Sequence, residues 1–173
     1  EKVTATKLGI GSIIGLCSLI NAKGCEEVNA SSEVKVLSIP DLKIIQLYSD
    51  NKSFRSFCDS NIFPGEILSL AEILTKKSER TDIDIKAAFS SLAKNSSIQN
   101  FISNENIQVQ KDFIYLISSE NIINSRAGDV YSSEDCQTIR GPFAARALKI
   151  PLKLYEEFNR LTNQSTNKET NQN

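Results

Sequence analysis

The chain has 173 residues, enough for one domain with its own core, and its hydrophobic (40%) and charged (24%) content is that of a folded globular protein. Its 20 basic residues against 21 acidic ones leave a net charge of −1, which gives no sign of the basic surface needed to bind a nucleic-acid backbone, so no nucleic-acid partner is expected. The sequence has no His, so His-activated serine or cysteine nucleophiles and His-ligated metal sites are excluded, and no cofactor is expected.

Leu8–Ala22 (LGIGSIIGLCSLINA) carries no charge and follows Lys2 and Lys7. A short basic stretch, an apolar stretch and a small residue at Ala22 have the anatomy of a secretory signal peptide. The run is shorter than the ~20 residues of a spanning helix. Two processing sites compete. One is cleavage after Ala22. The other is lipidation of Cys25, because Ala22-Lys23-Gly24-Cys25 resembles a degenerate lipobox, in which Gly24 fits and Lys23 does not. The alternative is a segment that is retained as a core helix or membrane anchor.

Glu26–Ser32 is small and polar, as a tether would be. Glu33–Ile39 (EVKVLSI) alternates weakly, which predicts a short strand. Leu42, Ile45, Leu47 and Tyr48 fall at helical spacing after Pro40, and Phe54, Phe57 and Cys58 form the stripe of a second short helix. Past the linker Asn61–Gly65, Glu66–Arg80 is the clearest helix. Ile67, Leu70, Ala71, Ile73 and Leu74 make its apolar face, with acids early and bases late to suit the helix dipole. Thr81 or Asp82 caps the next helix, whose buried face is Ile85, Ala88, Phe89 and Leu92, and which resumes through Ile98, Phe101 and Ile102. Lys111–Asn124 is apolar on more than one face and reads as a central helix, with a strand over Asp112–Ile117 (DFIYLI) as the second choice. Pro142 opens a helix running to Lys149, and Pro151 opens a last one carrying Leu152, Tyr155, Phe158 and Leu161. From Thr162 onward no apolar residue occurs, so the tail is expected to be disordered.

The expected fold is therefore mainly α: a small bundle of about five to six short helices, with one short N-terminal strand as an option. The expected divisions are residues 1–25 as the signal-peptide-like or anchor segment, 26–161 as a single helical domain, and 162–173 as the tail.

Of the four cysteines, Cys17 lies within the leader. Only lipidation at Cys25 would leave an even pair, Cys58 and Cys136, whose disulfide would contribute about 3–5 kcal/mol by closing a long loop. Arg140 and Arg146 flank Gly141-Pro142 and are candidates for an anion or partner contact, although Ala144, Ala145 and Ala147 also suit close packing. Ser91-Leu92-Ala93-Lys94 (S-x-x-K) and Ser49-Asp50-Asn51 (S-D-N) match motifs of serine acyltransferases. Their order is reversed, K-T-G is missing and the chain is too short for that fold. Asp82 and Asp84 suit helix capping better than metal binding, and Glu134 and Asp135 would raise the thiol pKa of Cys136. The sequence thus predicts no catalytic site. It predicts an exported protein-binding module, secreted or lipid-anchored, located in the periplasm, at the cell surface or outside the cell. Its partner would be another protein, with membrane association through residues 1–25. The alternative is a structural subunit of a membrane complex that keeps its N-terminal hydrophobic helix, and an enzyme working without His stands behind both.

Overall fold

The computed structural model describes residues 7–77, 84–103, 108–131 and 138–158. Five helices come before the first strand: α1 (Leu16–Ile20), α2 (Asp41–Asp50), α3 (Lys52–Ser60), α4 (Pro64–Lys77) and α5 (Ile85–Asn95). Three strands follow, β1 (Ser97–Phe101), β2 (Phe113–Ile117) and β3 (Ala145–Pro151), and residues 152–158 are again helical (α6). The strands form one antiparallel sheet in the order β1-β3-β2, so the strand that comes last in the chain lies in the centre.

This α+β architecture overturns the expected mainly helical bundle. Three stretches read as helix are strands. Residues 97–101 pair with β3 from Ser97↔Lys149 to Phe101↔Ala145. Residues 113–117, where a strand was the second choice, pair from Phe113↔Pro151 to Ile117↔Ala147. The stretch expected to run as a helix from Pro142 is β3 from Ala145 on. Ala, Arg, Leu and Lys, which fill ARALKIP, favour helices when context is ignored. A central strand buried on both faces also lacks the alternation that marks a half-exposed one. Conversely, the strand expected over Glu33–Ile39 does not form, and those residues carry no regular secondary structure and are exposed.

The period-two geometry of the strands sorts side chains between two cores. On one face Leu116, Leu148 and Ile150 pack against Ile67, Leu70, Ala71 and Leu74 of α4, Ala88 and Leu92 of α5, and Phe158 of α6. On the other, Phe101, Tyr115, Ile117, Ala145 and Ala147 pack under Ile122 and Tyr131. The chain over 128–131 also covers the free edge of β2. Ile117 N–H donates to the Asp129 carbonyl (2.9 Å) and Tyr131 N–H to the Tyr115 carbonyl (2.8 Å).

A third cluster joins α1, α2 and α3 through Leu16, Ile20, Tyr48, Cys58 and Phe143. Within the apolar N-terminal run, only Leu16–Ile20 is helical. Gly15 precedes it in the left-handed region (φ 83°), and Ala22 follows at φ 50°, so the chain turns sharply on both sides. Among the described residues no helix is long and apolar enough to cross a membrane. Asp84 caps α5, accepting a bond from Lys86 N–H (2.9 Å). Thr81 and Asp82, the expected caps, lie outside the described residues, as does the polar tail.

Candidate functional site

Arg146 is a hub of the fold. Because β3 alternates, Arg146 shares a face with Leu148 and Ile150 and projects towards the start of α4, where it is 2% exposed. Its Nε donates to Glu66 Oε1 (3.1 Å) and one terminal nitrogen to Glu66 Oε2 (3.0 Å), a two-pronged pair. Its remaining donors reach the Cys58 carbonyl (2.7 Å) and the Asn61 carbonyl (2.6 Å), both at the end of α3. The Ser118 hydroxyl also donates to Glu66. The Phe63 ring lies 5.5 Å from the guanidinium. Arg146 therefore does meet a carboxylate, but one of its own chain, and the pair bolts β3 to the α3–α4 junction. Arg140 is exposed and well apart in role, its backbone N–H donating to the Asn121 carbonyl (2.8 Å).

Beside this hub lies an open cleft of about 590 Å³ between α2, α3, the end of β1 and the chain over 139–144. Its polar wall is built by Tyr48, Asp59 and Asn100. The Tyr48 hydroxyl donates to Asp59 Oδ1 (2.8 Å), and its ring packs edge-on against Phe143 at 4.8 Å. Burial, together with the Asp59 carboxylate, pushes the Tyr48 hydroxyl up to about 12, so it holds its proton at neutral pH and acts as a donor. Asn100 donates to the Asp59 carbonyl (2.6 Å), while its own Oδ1 is buried with no hydrogen-bond partner among the described residues. Arg55 folds back over the Tyr48 ring and donates to the Tyr48 carbonyl (3.0 Å). This wall offers donors and acceptors, with no nucleophile set beside a base.

The three cysteines among the described residues are free thiols. Cys58 is a free thiol, 1% exposed, raised to about 11 by burial and by Asp59. Its expected disulfide partner, Cys136, lies outside the described residues. Cys25, the expected lipidation site, is half-buried. Its thiol donates to the Lys23 carbonyl (3.2 Å) and its N–H to the Ser18 hydroxyl (3.0 Å). Cys17, assigned to the leader, is 1% exposed, and its thiol accepts from the Asn21 side chain (3.6 Å).

The acyltransferase motifs have structural uses. Asn51 caps α3 by accepting from Phe54 N–H (2.9 Å), and Ser91 and Lys94 ride on α5, which packs on α4. Sequence reasoning passed over Glu66, read only as an early helix acid, and the Tyr48–Asp59–Asn100 wall. Glu66 had one available signal: an arginine on the inward face of a strand needs a buried acid. No family model matches the chain, and no curated protein or solved structure is significantly similar to it.

Proposed function

We propose that this chain is a protein-binding module without catalytic chemistry, which adds its exposed segment at residues 33–39 to a partner protein. The observation that supports this reading is the state of that segment. It carries a strand-like apolar pattern yet has no ladder partner among the described residues, and Val34, Val36, Leu37 and Ile39 are all exposed, Leu37 at 87%. Apolar exposure of this extent in one stretch is costly unless a partner covers it. An extended segment that joins another protein's sheet gains backbone hydrogen bonds and buries alternate side chains.

A photo-crosslinking residue placed at Val36 in the native host is expected to give one discrete adduct, and the same residue at Lys94 on α5 none. Adding Leu37→Asp should abolish the Val36 adduct while leaving the circular dichroism spectrum unchanged. Equal labelling from both positions, or an adduct indifferent to Leu37→Asp, would sink the reading.

A second reading, export through residues 1–25, draws support from the uncharged Leu8–Ala22 run behind Lys2 and Lys7. Intact mass from the native host decides it: loss of residues 1–22, or of 1–24 with lipid added at Cys25, supports export, and an unprocessed chain removes it.

A further inference from the structure

On the reading that residues 33–39 join a partner's sheet, we propose that the partner is a second copy of this chain and that the edge they join is β1. The hydrogen bonds show which edge is open. In antiparallel strands, successive residues turn their backbone groups to one neighbour and then to the other. On β3 the Arg146 carbonyl accepts from Ser118 N–H (2.9 Å), so Arg146, Leu148 and Ile150 bond towards β2. Ala145, Ala147 and Lys149 are left for β1, where they face Phe101, Gln99 and Ser97. The backbone groups of Ile98 and Asn100 therefore point away from β3, along the outer edge. The Asn100 carbonyl is met by the Gln99 side-chain amide at 3.1 Å. Ile98 N–H, the Ile98 carbonyl and Asn100 N–H have no hydrogen-bond partner among the described residues. The opposite edge, on β2, is covered by the chain over 128–131, which leaves β1 as the open edge of the sheet among the described residues.

An open strand edge is a template for another strand. Each copy thus holds an edge without its strand, and a strand-patterned segment (EVKVLSI) without its edge. Two copies supply what each lacks, and a reciprocal exchange about a twofold axis closes on itself, leaving neither edge open. Charge permits the exchange. Residues 33–39 balance Glu33 with Lys35, β1 (SIQNF) carries no charge, and the whole chain stands at −1. A chain this near neutrality sets up little repulsion between its copies. The segment and the five residues of β1 fall short of the roughly 20–30 residues a side of a standard interface, so the dimer is weak and forms as concentration rises.

The test uses the purified full chain with a photo-crosslinking residue at Val36, isotopically light and heavy copies being mixed in equal amounts. Irradiation is expected to join light copies to heavy ones, at Ser97–Phe101 by peptide mass spectrometry. The mass in solution should climb from 19.2 kDa towards twice that value with concentration. Ile98→Pro removes an outward N–H without taking a bond from β3, and should abolish the adduct while the circular dichroism spectrum stays the same. Adducts confined within single copies, adducts mapping away from β1, or a mass fixed at 19.2 kDa at every concentration would overturn the proposal. These readouts decide it even if the proline variant fails to fold. In the native host, a discrete Val36 adduct to a different protein with no self-adduct would overturn the second copy and leave the reading of residues 33–39 standing.

Discussion

Arg146 ties β3 to the junction of α3 and α4. Its charge is 2% exposed and its partner's side chain is fully buried, so neither can rely on water. Removing one member of such a pair strands the other, at a cost of about 3–5 kcal/mol. Arg146→Ala and Glu66→Gln should each lower the midpoint of urea unfolding substantially. Replacing both with apolar residues, as in Arg146→Met with Glu66→Leu, should cost less than the sum of the single changes, and strict additivity would contradict the pair. Cys58 and Tyr48 set the alkaline limit. Their folded values are raised, from 9.0 to about 11 and from 10.0 to about 12, so the stability they lend is complete below the ordinary values. It declines as pH rises through the raised ones, because the unfolded chain gives up these protons more readily. Stability should fall between roughly pH 9 and 12. Tyr48→Phe should flatten the upper part of that decline, and an unchanged profile would argue against the Tyr48–Asp59 contact. At this scale the sequence marked Arg146 and Cys58 but not their surroundings, since a buried acid and a backbone carbonyl leave no mark in local pattern.

At the scale of elements, α4 and α5 were legible because each shows one wet and one dry face, a pattern that survives without knowledge of the rest. β3 was not, because both its faces are covered and its residues favour helix locally. Residues 33–39 failed in the opposite sense. They alternate as a strand does, but a strand needs a neighbour, and none pairs with them among the described residues. α1 makes a sharper point. Leu16 and Ile20 look like leader residues in sequence, yet they are 5% and 2% exposed against Tyr48 and Phe143. Ile20→Ala should therefore cost about 2–5 kcal/mol in thermal or denaturant unfolding of the full chain, the usual toll for emptying a core site. A loss under about 0.5 kcal/mol, typical of surface changes, would show α1 to be dispensable.

For the whole molecule, the cores are ordered by chain position in an unusual way. The helices α1–α5 come first, and the strand that both others need comes last. Ala145 pairs with Phe101 and Ala147 with Ile117, so neither outer strand has its sheet partner until β3 is made, although the chain over 128–131 already bonds to β2. During synthesis, the faces of α4 and α5 must wait for Leu148 and Ile150, and Glu66 waits without its arginine. Such late, long-range pairing slows folding and leaves sticky surface in the interim. A nascent chain stalled after residue 140 should be cut readily by protease, and one released in full should resist. The sheet thus closes only once the chain from Ala145 on is made, and until then a growing chain is a natural client for a chaperone.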